Sequence, residues 1–134
     1  MAEIINTSGK RKEAVARCVV KEGDGQVRVN NIPLSIYSPE LARLKIMEAL
    51  NLAPQDKVAK VDISVNVQGG GVMGQAEASR TAIAKGLVEY YKDSEMEKLF
   101  KQYDRSLLIS DPRRKLPKKP QGRGARKKRQ KSYR

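Results

Sequence analysis

Apolar and polar residues alternate in two stretches of the chain, residues 14–21 and residues 58–68. In the second stretch the apolar positions are Val61, Ile63, Val65 and Val67. Because successive side chains of a strand point to opposite faces, this period predicts two strands, each with one buried and one solvated face. Cys18 occupies an apolar position of the first stretch, which predicts a buried thiol.

Turn-forming residues predict how these strands connect. Glu-Gly-Asp-Gly at residues 22–25 separates residues 14–21 from a short run that contains Val27 and Val29. This arrangement predicts a β-hairpin. Residues 107–109 predict a final short strand.

A period near 3.6 residues predicts three helices. The first has Ser38 as its expected N-cap and ends before Pro54, the second covers residues 75–92, and the third begins at the capping box Ser94–Glu97. The resulting order, ββαβααβ, predicts an α/β (α+β) domain of two layers. In it a four-stranded sheet carries the helices on one face.

Positive charge is concentrated at one end of the chain. The net charge is +13, and twelve of the 28 Lys and Arg residues lie at positions 112–134, where there is no Asp or Glu. Residues 1–111 therefore hold 16 basic and 15 acidic residues. We expect a globular RNA-binding domain at 1–111 and an extended basic tail at 112–134 that is disordered when free, because the tail has too few apolar residues to form a core.

Composition argues against several functions. The chain has one cysteine and no histidine, so it lacks an internal disulfide, a multi-cysteine zinc site and the commonest general base. No Ser-His, Cys-His or paired-carboxylate arrangement is apparent, and we expect no catalysis, metal or cofactor. No apolar run is long enough for a signal peptide or a membrane span. We expect a soluble cytoplasmic protein.

A glycine-rich loop follows the second alternating stretch. Gly69, Gly71 and Gly74 match the G-x-G-x-x-G pattern of dinucleotide-binding loops. A small nucleotide-binding enzyme is therefore one alternative. It is disfavoured because the expected acidic residue, about 20 positions later, falls inside or between the predicted helices. Two interpretations stay open, a purely structural turn and a turn that lies on RNA backbone.

Two basic clusters indicate a polyanionic partner. Lys10, Arg11 and Lys12 form either a solvated N-terminal loop or a first contact with RNA. The tail is either a solubilising or localising segment or an RNA-binding arm. Extended, its 23 residues reach about 70–80 Å. Aromatic residues are few, which favours recognition of backbone and shape over base sequence. A free nucleic-acid-binding or chromatin protein is the second alternative.

Three segments, in order, resemble one known family. They are GKRKEAVARCVVKEGDGQVRVNN, GGGVMGQAEASRTAIAKGL and DPRRKLPKKPQGRGARKKRQKSYR. The chain resembles the family of the ninth protein of the small ribosomal subunit, in its archaeal and eukaryotic branch, to which the terminal KSYR is similar. The resemblance implies a left-handed βαβ crossover and a structural role in the cytoplasmic ribosome. It also implies binding to ribosomal RNA of the subunit head, neighbouring head proteins as partners, and no homo-oligomer.

The expected ribosomal-RNA-binding residues combine the basic clusters, the glycine loop and one helical arginine. They are Lys10, Arg11, Lys12, Gly69, Gly70, Gly71, Arg80, Arg113, Arg114, Lys115, Lys118, Lys119, Arg123, Arg126, Lys127, Lys128 and Arg129. The resemblance further implies that the end of the tail contacts the anticodon stem of the peptidyl-site tRNA. The residues expected to do so are Lys131, Tyr133 and Arg134.

Overall fold

The computed structural model describes residues 3–133. The strands are β1 (Ile5–Arg11), β2 (Ala14–Glu22), β3 (Val27–Val29), β4 (Ile32–Pro33) and β5 (Val61–Gln68). The helices are α1 (Glu40–Leu52), α2 (Gln55–Val58), α3 (Val72–Tyr91) and α4 (Ser94–Tyr103). Short 3₁₀ turns cover Leu34–Ile36 and Arg105–Leu107.

The described residues form a five-stranded mixed sheet in the order β1-β2-β5-β3-β4. The pairs β1–β2, β2–β5 and β3–β4 are antiparallel, and β3 is parallel to β5. Helix α3 lies across β1, β2 and β5, and α1 packs beside it. The two-layer α+β prediction is confirmed, with five strands instead of four.

The predicted hairpin is wrong. Strand β5 lies between β2 and β3, and the segment that joins them crosses its end. The Asp62 carboxylate fixes that crossing, since its Oδ1 accepts hydrogen bonds from the backbone N–H groups of Asp24 and Gln26 at 2.9 and 3.0 Å. The turn residues were recognised, but the sequence could not show that a distant strand would insert between the two arms.

The true hairpin partner of β2 is β1, which the apolar pattern did not reveal. Of the β1 residues that face the helices, only Ile5 is a large apolar residue, and the others include Thr7 and Gly9. Gly9 lies directly under α3, where a Cβ atom would come within 2.4 Å of the carbonyl oxygen of Ala78. Strand β1 and α3 are held together here by close approach of their backbones, so the sequence of β1 shows no alternation of apolar residues.

The predicted final strand is also wrong. Residues Arg105–Leu107 form a 3₁₀ turn, begun by the Asp104 side chain, which accepts a hydrogen bond from the Ser106 N–H at 2.9 Å. Leu107 is buried beneath this turn. Asp111 makes only an isolated parallel bridge with Arg11. From residue 112 to residue 133 the structure has no helix or strand.

The core between the layers is largely aliphatic, and the predicted burial of the Cys18 thiol is confirmed. Cys18 is 1% exposed. Burial raises the pKa of its thiol to about 12. Gly86 packs tightly, since a Cβ there would lie 2.7 Å from Cγ2 of Val20. The N-cap of α4 is Asp93, one residue before the predicted cap Ser94, because the Asp93 carboxylate accepts hydrogen bonds from the N–H groups of Glu95 and Met96.

Residues 3–133 contain neither a membrane-spanning helix nor a metal-binding cluster. None of the helices in these residues is both long enough and apolar enough to cross a bilayer. The same residues contain no cluster of three or more His, Cys, Asp or Glu side chains suited to a metal ion.

Candidate nucleic-acid interface

The first two glycines of the loop between β5 and α3 are required by the fold. Gly69 and Gly70 have φ angles of +79° and +67°, in the left-handed region that favours glycine. A Cβ atom on Gly69 would also lie 2.5 Å from the carbonyl oxygen of Glu13. These residues therefore turn the chain tightly against the connection between β1 and β2.

Gly71 differs, because nothing in the fold requires a glycine there. Its φ and ψ are −96° and 177°, an extended conformation open to any residue. A Cβ atom would meet no other atom within 4 Å. Gly71 is the N-cap of α3, and the first turn of this helix has neither a side-chain cap nor an acidic residue. The amino end of a 20-residue helix is thus presented bare, with its partial positive charge.

A dinucleotide fold is not formed around this loop. Such a loop connects the first strand and helix of a βαβ unit, and a further parallel strand follows the helix. Within the described residues α3 is followed by α4 and a 3₁₀ turn, with no further strand. The loop therefore lacks the next strand, which would carry the acidic ribose-binding residue.

The N-terminal basic cluster lies at the end of β1 and in the tight turn to β2. The cluster therefore belongs to a strand and a turn, and it is not the solvated N-terminal loop that the sequence left open. Lys10 and Lys12 are exposed, and Lys12 has a φ of 53° in the turn. Arg11 points the other way, and its side chain is only 16% exposed. Its Nε donates to Glu77 and its Nη1 to Asp111, each at 2.6 Å. The two lysines are available to a partner, while Arg11 is held by carboxylates.

The Arg11–Asp111 ion pair attaches the start of the tail to β1. Asp111 also accepts hydrogen bonds from the backbone N–H of Arg113 at 2.9 Å and from its Nη2 at 2.6 Å. The Arg113 contacts, followed by the charge of Arg11, lower the pKa of the Asp111 carboxyl to about 2. Further along, the Arg114 guanidinium lies 3.5 Å from the Glu13 carboxylate. The tail therefore leaves the domain beside the β1–β2 turn.

Arg80 lies inside the helical layer, with a side chain only 5% exposed. Its Nη1 donates to Glu48 at 3.0 Å, and its Nη2 donates to Asp104 at 3.2 Å and to the Ser106 hydroxyl at 3.0 Å. These contacts connect α3 to α1 and to the segment after α4. Its buried Nε has no hydrogen-bond partner in the described part of the chain. The geometry gives Arg80 a structural position, away from any exposed surface.

The remaining basic residues of the tail are exposed. They are Arg113, Arg114, Lys115, Lys118, Lys119, Arg123, Arg126, Lys127, Lys128, Arg129 and Lys131. Tyr133 is 89% exposed. Arg134 lies outside the described residues. The structure thus brings together the glycine loop, Lys10, Lys12 and the root of the tail at one end of the sheet, while the rest of the tail extends from that point.

Three exposed cations were missed by the sequence-based site. Arg17, Lys21 and Arg28 point away from the helices, on the uncovered face of the sheet. The available signal was the alternation itself, because Arg17 and Lys21 occupy the polar positions of residues 14–21. They were passed over because they form no cluster along the sequence.

Comparison with known proteins identifies the family. Residues 9–134 match the family model described as ribosomal protein S9/S16. The chain is 56% identical over 132 residues to the small ribosomal subunit protein uS9 of Thermoplasma volcanium, covering 98% of this chain and 99% of the relative. The proteins of the same description from Thermoplasma acidophilum and Picrophilus torridus are 58% and 49% identical, over 96% and 100% of this chain and 98% and 100% of theirs. The chain belongs to the ribosomal protein S9/S16 family.

Proposed function

We propose that this protein is a structural, non-catalytic component of the small ribosomal subunit, bound to ribosomal RNA of the subunit head in the cytoplasm. The observation that carries the proposal is the convergence of three features at one end of the sheet. These are the bare amino end of α3, the exposed lysines of the β1–β2 turn and the root of a tail with twelve basic residues. The relatives are named as small-subunit proteins and match this chain along nearly their whole length, which supports the same assignment.

The distribution of charge gives the domain and the tail different roles in RNA binding. The domain is nearly neutral and has its own core, so it folds without RNA and docks as a unit. The tail has no packed structure of its own and presents its charges along an extended chain, which suits neutralisation of successive phosphates. Arginine adds bidentate hydrogen bonding to phosphate and stacking on bases.

The end of the tail is assigned to the peptidyl-site tRNA. In this proposal Lys131, Tyr133 and Arg134 contact phosphates of the anticodon stem, and proteins of the subunit head are the neighbours of the domain. The support is the exposure of Lys131 and Tyr133, the reach of the extended tail and the family's implied arrangement. Arg11 and Arg80 leave the set of RNA-contacting residues, since carboxylates already hold their guanidinium groups.

Sedimentation tests the proposal. A cell lysate is separated on sucrose gradients at low and then high salt, and this chain is followed by mass spectrometry. We expect it to migrate with the small subunit and to remain there after the salt wash. Recovery only in the soluble top fractions would overturn the proposal. Equal affinity of the purified protein for duplex DNA and ribosomal RNA would instead favour a free nucleic-acid-binding protein.

A further inference from the structure

One complete face of the sheet is covered by nothing in the described structure. Helix α3 covers the face that contains Cys18 and Val65, whereas the opposite face is formed by the outward side chains of β1, β2, β5 and β3. Its exposed members are Asn6, Ser8, Lys10, Arg17, Lys21, Arg28, Ser64, Asn66 and Gln68. We call this surface the open face.

The open face is positively charged. Lys10, Arg17, Lys21 and Arg28 are its cations, and among the described residues none of them forms a salt bridge within 4.0 Å. The one acid on its strands, Asp62, is already engaged by the backbone N–H groups of the β2–β3 connection. Glu13, which borders the face in the β1–β2 turn, lies 3.5 Å from the Arg114 guanidinium. Arg11 and Arg80 on the helical side are, by contrast, paired with carboxylates. Lys21 lies opposite Asp62 in the strand register, and its charge adds to the effect of the backbone N–H groups in lowering the pKa of that carboxyl. Lys10, Arg17 and Arg28 are therefore the cations most available to an external anion.

The strand register distributes these charges over a broad surface. Ser8, Arg17 and Asn66 lie opposite one another on three adjacent strands, so the Arg17 guanidinium stands between two small polar side chains. Lys21 is four residues further along β2, roughly 13 Å away at the usual rise of a strand. Arg28 lies opposite Ser64 on the other side of β5. This spacing suits a charged backbone that crosses the sheet better than a small ion.

The chemistry of the open face selects among macromolecular partners. Its apolar residues in β2 are Val15 and Val19, both half-buried, and none of its outward residues is aromatic. Protein–protein interface cores are enriched in aromatic residues and depleted in charge, the reverse of this composition. The aromatic side chains that form most platforms for stacking unpaired bases are missing from its outward residues, which leaves only the Arg17 and Arg28 guanidinium groups for such contacts. Cations mixed with Ser, Asn and Gln suit phosphates and ribose hydroxyls.

We infer that the open face is a second RNA-binding surface, which contacts the sugar-phosphate backbone of a helical segment of ribosomal RNA. The inference rests on the proposed function and extends it to a surface separate from the tail. The surface is continuous with the glycine loop, because Arg17, Asn66 and Gln68 line a groove together with Glu13 and Gly69. One RNA helix can therefore touch the loop and the sheet together.

The test neutralises the open face in the full-length protein. The variant Arg17→Gln/Lys21→Gln/Arg28→Gln is compared with Lys98→Gln/Lys101→Gln/Arg105→Gln, which removes the same charge from exposed positions of α4 and the turn after it. Affinity for transcribed small-subunit ribosomal RNA is measured against salt concentration. At about 0.7 per lost contact, the slope of log K against log[salt] should become shallower by roughly 2 in the open-face variant and stay unchanged in the control.

Each other result has a defined meaning. A normal slope in the open-face variant, with a shallower slope in a protein that lacks residues 112–134, overturns this inference and leaves the proposed function intact. Normal slopes in both proteins contradict the proposed function itself. Equal losses in the open-face variant and the control show a net-charge effect and also overturn the inference. If the open-face variant shows a normal salt slope with RNA but does not enter assembled subunits, a protein partner occupies the open face. That result also overturns the inference. Should the triple variant fold poorly, Arg17→Gln alone is expected to reduce the slope by about 0.7.

Discussion

At the scale of single residues, the glycines of the loop have different roles. Gly69 and Gly70 are fixed by their positive φ angles and by the nearby β1–β2 turn. Gly71 has an ordinary backbone conformation and open space beside it. A glycine therefore occupies a position that fits any residue, and the helix end beside it is bare, which leaves room for an external backbone to approach.

Substitution of Gly71 separates the structural interpretation from the RNA-binding one. Gly71→Asp adds an N-cap and a negative charge at the positive end of α3, which should stabilise the fold by about 0.5–1 kcal/mol. The same carboxylate should repel a phosphate and weaken ribosomal-RNA binding roughly tenfold, a change of about 1.4 kcal/mol. Thermal unfolding and filter binding measure the two effects. Gly71→Asn is the uncharged control, and unchanged RNA affinity in Gly71→Asp would make the loop a structural turn.

A second prediction for a single residue concerns Arg134. In the proposed arrangement, deletion of Arg134 removes one of several phosphate contacts, so tRNA should be retained in the peptidyl site a few-fold less well while the subunit still assembles. Binding of tRNA to purified subunits measures this effect. Arg123→Gln, which removes one charge nearer the root of the tail, is the matched control. Loss of assembly on deletion of Arg134, or equal weakening in the control, would contradict the assignment.

At the scale of elements, Arg80 holds α3, α1 and the turn after α4 together. Arg80→Met keeps the apolar stem but leaves the Glu48 and Asp104 carboxylates without this partner. Breaking a fully buried pair costs about 3–5 kcal/mol, and partial solvation of the two carboxylates reduces the expected loss to about 2–3 kcal/mol. Chemical denaturation measures this loss.

The RNA-binding properties of Arg80→Met complete the prediction. The slope of RNA affinity against salt should stay at the wild-type value, because Arg80 faces the helical layer. Lys12→Gln should show the opposite behaviour, with normal stability and a slope shallower by about 0.7. Normal stability of Arg80→Met together with a shallower slope would return Arg80 to the RNA-binding surface.

The contacts of Asp111, first with Arg113 and then with Arg11 of β1, predict a pH dependence. The pKa of Asp111 is lowered to about 2 from its usual 3.8, so the ionised form is favoured in the folded protein. A lowered carboxyl pKa contributes stability that is complete above the unfolded-state value and is lost as the pH falls through the folded-state value. The stability difference between wild type and Asp111→Asn should therefore be constant above about pH 5 and shrink between pH 4 and pH 2. Thermal unfolding over this range measures it. A difference that persists unchanged at pH 2 would contradict the assignment.

The sequence pattern predicted those helices and strands that are determined by residues close to one another along the chain. The alternation in residues 61–68 located β5, and helical spacing located α1, α3 and α4. The pattern failed where the deciding partner is distant along the chain. Arg11 and Arg80 looked like free cations because the carboxylates that hold them lie 66 and 100 positions away for Arg11, and 24 and 32 positions away for Arg80. The family resemblance was confirmed. The tail and the loop were recognised from charge and glycine spacing, and their contacts with RNA stay predictions.

At the scale of the whole molecule, the core of the fold and the basic tail occupy separate parts of the chain. The described tail residues beyond Asp111 make few contacts with the domain, whereas the core lies entirely within residues 14–107. We therefore expect that the tail can change in sequence without loss of the fold and that its charges act mainly on the partner.

Removal of residues 112–134 tests this separation. The domain should remain folded, with a melting temperature within a few degrees of the full-length value. RNA affinity should fall strongly, and if about eight tail charges contact phosphates the salt slope should lose roughly 6 to 7 units. A full-length chain whose twelve tail Lys and Arg residues are replaced by Gln is the control for tail length. Unchanged affinity and slope in the truncated protein would contradict the role of the tail.

The burial of Cys18 makes the molecule well suited to chemical labelling. Thiol reagents attack the thiolate, and a sulfhydryl with a pKa of about 12, sealed beneath α3, stays protonated and out of reach. A cysteine introduced at the exposed Ser132 would then be the single reactive thiol of the native protein. A fluorophore attached there, paired with a labelled tRNA, would report by energy transfer how close the end of the tail comes to the anticodon stem during translation.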